Sequence, residues 1–309
     1  MLKEKENVQL DIYKIDTKPK LLKSKLMVVL ILIFLIVIII MTFNNVKEIH
    51  NSYKQFKSYQ EELAEIVKQQ EIVEQKRKEE EEKRRLEKLP NLTDMGKENI
   101  KKIYKSEKKR AFLTFDDGPS SVTNQILDTL KQEKVKASFF VLGSSIPGRE
   151  DIMKRMYTEG HYIANHGYSH VYTQIYSSPQ AVLNEYNQCL EKIRGAIGVP
   201  DYNPHLFRYP GGFYGGKYAD IKKQAEELLL ANNIVHVDWN ALNGDAETNN
   251  LSVEFELQKL KDTTEGKNSI VVLMHDAPVK RVTAEALPQI ISNLKEQGYE
   301  FMNFYEIIK

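Results

Sequence analysis

Three periods of apolar and polar positions succeed one another along the chain. The first is no period at all. Residues 26–43 read LMVVLILIFLIVIIIMTF, uncharged throughout, with Thr42 the lone polar side chain. At 1.5 Å per residue this run reaches roughly 27 Å, close to the ~30 Å hydrocarbon core of a bilayer. A core helix would keep a polar face. A cleaved leader would carry a shorter apolar run and a small-residue cleavage site. The run therefore predicts a membrane-spanning helix. Lys18, Lys20, Lys23 and Lys25 precede it, and Asn44 and Asn45 follow. The positive-inside rule then makes residues 1–25 a cytoplasmic tail and places everything after the span outside the cell membrane.

The second period is helical. Between Val46 and Leu89 there is neither Gly nor Pro, and Ile49, Tyr53, Phe56, Leu63 and Val67 form a loose heptad-like stripe. QKRKEEEEKRRLEKL follows, with Glu79–Lys83, Glu80–Arg84 and Glu81–Arg85 in the favourable (i, i+4) order. Residues 44–89 are predicted to be a stalk whose helical part, 46–89, is about 66 Å long at 1.5 Å per residue. The stripe decays after Val73, which favours a single solvated helix. A parallel coiled-coil homodimer is the other reading. Pro90 ends the stalk, and 90–109 reads as a linker with one short helix.

The third period alternates. Short apolar runs at 111–115, 138–142, 162–165, 206–209, 234–239, 269–274 and 300–304 take turns with helix-period segments at 122–133, 149–159, 179–197, 219–232, 252–265 and 283–297. Ser178–Pro179 is an N-cap signal, and Gly160, Gly198 and Gly298 fall just past helix ends. Apolar runs alternating with helices predict parallel strands with crossovers, hence a barrel-like α/β domain over 110–309.

Composition sharpens this division. The chain has 309 residues, net charge +1 and one cysteine. The near-zero charge argues against a chain-wide nucleic-acid binder. A lone Cys189 excludes an intramolecular disulfide framework and any multi-thiolate zinc site. The charge is also divided, +7 over residues 1–110 and −6 over 111–309.

In α/β barrels chemistry collects in the loops after the strand C-termini. Five such loops carry reactive side chains: Asp116 and Asp117; His166 and His170; Arg208; Asp238, Trp239 and Asp245; His275 and Asp276. One helical turn would face His166 and His170 the same way. Alone, H-x-x-x-H is a weak signal. Beside an acidic pair it suggests a catalytic metal site with two His, one carboxylate and open positions. Consecutive carboxylates point apart, so one can hold metal while the other acts as base. A divalent ion lowers the pKa of its water, and a nearby carboxylate can take the proton. An Arg beside that carboxylate would hold it in place, and a His opposite could protonate a leaving group. The set fits metal-assisted hydrolysis of an amide or ester. For each residue alone, the ordinary alternative is an ion pair or a core histidine.

TFDDGP at 114–119, HGYSH at 166–170, RYPGG at 208–212, VDW with a downstream GD, and LMH at 273–275 occur in that order. Together they resemble the five motifs of the polysaccharide deacetylases (the NodB-homology domain, carbohydrate esterase family 4). The resemblance covers about 110–309 and leaves out the stalk and span. It implies a distorted (β/α)7 barrel and one divalent metal ion, zinc in the usual case. It implies Asp116 as base, Asp117, His166 and His170 as ligands, Arg208 as the residue orienting the base, and His275 as general acid tuned by Asp245. It further implies the Tyr209 backbone N–H at the oxyanion, and Pro210, Trp239 and Leu273 around the acetyl pocket. Asp238 is the rival of Asp245 in the fourth motif.

Two positions depart from the pattern. Gly167 stands where Thr or Ser is usual, and Ala246 where a Trp often follows the acid. The second opens the substrate groove. The expected activity is removal of N-acetyl groups from GlcNAc or MurNAc of a cell-wall glycan, peptidoglycan foremost. The alternatives are a special GlcNAc linking a wall polysaccharide to peptidoglycan, and an inactive wall-binding scaffold. His161, His205 and His236 have no ligand-like partners, and Cys189 sits in a helical apolar stripe; all four are expected to be structural.

Overall fold

The structure, a computed structural model, describes residues 25–34, 46–87, 89–248 and 251–309. They belong to two compact units, Met1–Arg84 and Arg85–Lys309. In the first, residues 25–34 form helix α1, and α2 runs unbroken over Val46–Glu87. Arg77 donates to both oxygens of Glu74 at 2.8 and 3.0 Å, one of the ion pairs along this charged surface. Positions 35–43 of the expected span and tail residues 1–24 lie outside the described residues. Among the described residues, no helix is long and apolar enough to cross a membrane.

The second unit opens with α3 (Asp94–Lys101) and then alternates strand and helix. The strands are β1 (Arg110–Asp116), β2 (Ser138–Val141), β3 (Tyr162–Asn165), β4 (Leu206–Phe207), β5 (Val235–His236), β6 (Ala241–Leu242), β7 (Ser269–His275) and β8 (Glu300–Phe301). Between them come α4 (Thr123–Glu133), α5 (Glu150–Thr158), α6 (Tyr172–Ile175), α7 (Pro179–Ile197), α8 (Ala219–Ala231), α9 (Val253–Thr264) and α10 (Arg281–Glu296). Capping follows the sequence signals. Ser178 Oγ accepts from Ala181 N at 3.1 Å, and Gly198 closes α7 at φ 71°.

All strand pairs are parallel, in the order β5-β4-β3-β2-β1-β7-β6, with β8 beside β1. Alternate residues face opposite sides of the sheet. Leu113, Phe115, Phe139 and Ile163 pack against the helices. Phe112, Phe140, Tyr162 and Val271 fill the inside of the curl. Both faces are covered, so β1 and β7 read as continuous apolar runs.

The expected distorted (β/α)7 barrel is in fact an open, curled half-barrel, because β5 and β6 do not pair. Four of its strands are two residues long. Beyond Phe207 the chain meets Pro210, which has no N–H to extend a ladder, and two glycines. The run at 234–239 also hid a turn, after which β6 joins β7 on the far edge.

Residues 90–109, expected as a linker with one short helix, carry that helix as α3 but pack into the second unit. Leu92, Ile100 and Ile103 are buried in the same cluster as Phe304, Ile307 and Ile308, inside the curl. Gly96 permits this approach: a Cβ there would lie 2.0 Å from the Ile308 carbonyl oxygen. Apolar side chains spaced at 92, 100 and 103 were the signal, diluted by five intervening charges.

Candidate active site

Register brings the first pair together. β1 and β7 run side by side, so Asp116 lies opposite His275. Both loops that follow are tied to each other. Asp276 N donates to the Asp116 carbonyl at 2.7 Å, and its buried carboxylate accepts from Ser120 Oγ and Thr123 Oγ1, both at 2.6 Å. Burial lifts the Asp276 carboxyl to about 6.

Arg208 crosses the inside of the curl from β4 to β1. It is wholly buried, and each nitrogen has an acceptor. Nε donates to the Val237 carbonyl at 2.9 Å and Nη2 to the Asp238 carbonyl at 3.1 Å. Nη1 donates to Thr114 Oγ1 and Asp116 Oδ1, both at 2.8 Å. The guanidinium lies 4.0 Å from the centre of the Phe140 ring. A buried charge is tolerated only when paired and hydrogen-bonded this fully. Asp116 Oδ1 is thereby taken. Oδ2 remains, 3.7 Å from His166 Nε2. Burial pushes the Asp116 carboxyl above the usual range, and Arg208 pulls it back.

Asp117, His166 and His170 converge beside it. Their ligand atoms all lie within 4.8 Å of one another. Asp117 Oδ1 is 3.6 Å from Nε2 of each histidine. No helical turn presents the histidines, contrary to expectation. A loop does, with left-handed backbone at Gly167 (φ 85°) and His170 (φ 57°). Asp117 is left-handed as well, at φ 75°. A β-carbon at Gly167 would meet Ile175 Cδ1 at 3.1 Å. The loop is held from below by Glu185, whose carboxylate accepts from Tyr168 N and Ser169 N at 2.7 Å and from Ser169 Oγ at 2.6 Å.

The trio suits a divalent ion. Asp117 Oδ1 is buried and has no hydrogen-bond partner. His166 Nδ1 donates to the Arg208 carbonyl at 2.7 Å, which leaves the Nε2 lone pair facing Asp117. Burial depresses His166 to about 3, so its ring is neutral. Two imidazole nitrogens and one carboxylate form the donor set of an open catalytic site.

On the opposite wall, His275 Nδ1 lies 2.7 Å from Asp245 Oδ1, and the His275 backbone N–H donates to Asp245 Oδ2 at 2.7 Å. Burial disfavours the imidazolium, but the hydrogen bond and charge of Asp245 outweigh it and raise His275 to about 9. Burial alone would raise Asp245; the hydrogen bonds and charge of His275 keep it below the usual range. Of the two rival acids, Asp245 is the one on His275. Asp238 instead accepts from Phe213 N at 3.0 and 3.2 Å and braces the glycine turn after Arg208.

The pocket residues are less uniform. Leu273 lies on β7 two residues before His275, and the Trp239 ring centre is 5.6 Å from the Arg208 guanidinium. Pro210 is buried and its carbonyl accepts from Tyr176 Oη at 2.6 Å. The Tyr209 ring is turned into the core against Phe207 and Phe213. Cys189 and His161 are buried, and burial pushes the thiol up and the imidazole down to about 3.

Two residues behind the site escaped the sequence. Glu256, fully buried, accepts from Asn243 Nδ2 at 2.7 Å and contacts Thr283 Oγ1 at 3.1 Å, and Thr283 reaches Asp245 Oδ2 at 3.2 Å. Burial raises Glu256 to about 7. Glu185 is the other. Each is a carboxylate within its helix's buried stripe, 182-185-186-189 and 256-260-264. That misplaced charge was the available signal.

An arginine-held aspartate, a metal-type trio and a carboxylate-paired histidine thus meet at the strand C-termini of a curled parallel sheet. Residues 103–227 match the polysaccharide deacetylase family. The chain is 32% identical over 216 residues to a Bacillus cereus peptidoglycan-N-acetylglucosamine deacetylase, covering 69% of this chain and 76% of that one. It is 37% identical over 201 residues to the Listeria monocytogenes peptidoglycan-N-acetylglucosamine deacetylase, covering 64% of this chain but 39% of that longer protein. A Streptococcus mutans CE4 esterase superposes with a TM-score of 0.61 at 34% identity, over 67% of this chain and 90% of that one. The chain belongs to the polysaccharide deacetylase family, carbohydrate esterase family 4.

Proposed function

We propose that the protein removes N-acetyl groups from N-acetylglucosamine or N-acetylmuramic acid residues of a cell-wall glycan, peptidoglycan foremost. The observation that carries this reading is the juxtaposition of Asp116 and His275 across β1 and β7, beside the Asp117–His166–His170 trio. Asp116, with Oδ1 fixed on Arg208, uses Oδ2 to take a proton from the attacking water. As the amide carbon becomes tetrahedral, we assign the Tyr209 backbone N–H to its oxyanion. Pro210, Trp239 and Leu273 enclose the acetyl methyl. His275, held through Nδ1 by Asp245, gives its Nε2 proton to the sugar nitrogen as the C–N bond breaks. Acetate and a free amine leave. A divalent ion held by Asp117, His166 and His170, zinc in our reading, supplies Lewis acidity to the carbonyl and the water.

The placement is part of the proposal. Residues 26–43 tether the chain, Lys18 to Lys25 keep the N-terminus in the cytoplasm, and the stalk carries the catalytic unit into the wall as a solvated single helix. A stalk paired with a second copy is the competing arrangement; sedimentation of the detergent-solubilised chain separates one copy from two. Ala246, exposed directly after Asp245, favours as second reading a special GlcNAc at a polysaccharide–peptidoglycan linkage.

The test compares free amines in wall digests from cells with and without the gene. The amines are expected to fall without it, with the acetyl group recovered on the same sugar by mass spectrometry. Unchanged amine content would overturn the reading.

A further inference from the structure

A second concavity lies beside the catalytic cluster. Between α3, α8 and the free edge of β5 is a cavity of about 360 Å³. Its floor is made by isoleucines of the α3 region and valines of the β5 region. Its walls carry Tyr104, Tyr214, Glu226, His236 and Asp238.

The cavity shares a wall with the catalytic site. Asp238 lines it, and the carbonyl of the same residue accepts from Arg208 Nη2 at 3.1 Å. Arg208 holds the base. The next residue is Trp239, whose ring faces the same guanidinium. Tyr104 of the inserted N-terminal segment lines the cavity together with Tyr214 and Asp238. Through Arg208 the cavity wall is thus one side chain away from Asp116.

The lining suits a sugar. Pyranose rings present flat C–H faces to aromatic rings and hydroxyls to planar polar groups, the mix of apolar surface and few fixed polar atoms typical of ligand clefts. Tyr214 is 81% exposed, an uncommon state for an aromatic side chain that nothing covers. Its ring is nonetheless propped: it sits edge-on to Phe213, which stacks on His236 at 4.2 Å, and His236 Nδ1 is 2.8 Å from Glu226. Burial pushes the Tyr104 phenol up to about 12, so its hydroxyl stays a donor at every working pH. At about 360 Å³ the volume falls at the small end of ligand clefts.

We propose that this cavity is a distal glycan subsite, seating a sugar unit beyond the one that is deacetylated, with Tyr214 as its stacking platform and Tyr104 and Asp238 as its hydrogen-bonding groups. The proposal rests on the deacetylase reading for its ligand, and makes the enzyme one that acts on chains rather than short fragments. It also gives the inserted segment 90–109 a role in recognition besides filling the curl.

Two measurements on the full chain test it. The first is calorimetric binding of an N-acetylglucosamine hexamer to the zinc-loaded Asp116→Asn protein, with and without Tyr214→Ala or Tyr214→Trp. The second is the ratio of kcat/KM for hexamer over dimer in the otherwise native protein with the same Tyr214 changes. Tyr214→Ala is expected to weaken hexamer binding about tenfold and to collapse the length ratio toward one, with Tyr214→Trp restoring both. Unchanged binding and an unchanged ratio would overturn the subsite while leaving the deacetylase reading intact. Tyr214-dependent binding with no acetate released from any length would support the subsite and sink the deacetylase reading.

Discussion

Arg208 shows how much one side chain carries here. It lies inside the curl, pairs with Asp116 through Oδ1 and leaves Oδ2 for the base role proposed for it. Asp116→Asn keeps the shape and removes the basicity. It is expected to lower kcat by about 10²–10⁴-fold, the usual contribution of a positioned general base, while zinc binding measured by equilibrium dialysis stays within a factor of a few. His170→Ala removes a ligand nitrogen and is expected to lose the metal in the same assay. The acid has its own signature. His275 must be protonated to donate, and Asp245 raises its pKa to about 9, so activity should fall on an alkaline limb near that pH. Asp245→Asn withdraws the charge and should move the limb down toward the ordinary histidine value near 6.5; a limb that stays near 9 would remove Asp245 from this role. The same shift bears on folding. The folded pKa is raised, so this contribution to stability is complete below about pH 6.5 and is lost as pH rises through about 9.

The loops that present these residues are built by close approaches. Gly118 lies against Asp276, and a β-carbon there would come within 2.3 Å of Asp276 Oδ2. Gly118→Ala should break the Ser120–Asp276–Thr123 knot, costing about 1–3 kcal/mol and lowering Tm by several degrees in a thermal melt. The inserted segment matters more. Removing residues up to 109 would expose the partners of Leu92, Ile100 and Ile103, each worth about 1.5–3 kcal/mol when buried. The sum rivals the whole stability of a domain. A chain beginning at residue 110 is expected to be insoluble or molten by near-UV circular dichroism, and one beginning at Arg85 to fold. That boundary was hidden because three apolar residues among lysines look like a linker until a curled sheet needs an interior. β1, β7 and the long helices were legible because their apolar periods are long and their caps explicit. β4 and β5 were found inside longer apolar runs whose ends overshot, and β6 was missed, since a two-residue strand leaves no period to read. The histidine pair was found from its spacing, but its loop was mistaken for a helical turn because the positive φ at His170 leaves no mark in sequence. Asp245 was preferred to Asp238 from the motif alone, and the geometry places Asp245 on His275.

At the scale of the whole chain, the division of charge acquires a physical meaning. The acidic half, 111–309, contains the carboxylates that the site gathers around Arg208, His275 and the unpartnered Asp117 oxygen. The basic half, 1–110, holds the tail, stalk and inserted segment, and its lysines and arginines outnumber its acids. A purified full chain, stripped of metal and given zinc, tests the central claim most directly. Acetate is to be measured after incubation with intact peptidoglycan. The account expects release of acetate with an equal number of new amines, abolished by chelator, restored by zinc and absent in Asp116→Asn. Zinc bound at the Asp117–His166–His170 trio without any acetate released would contradict it, and would leave a wall-binding domain rather than an enzyme.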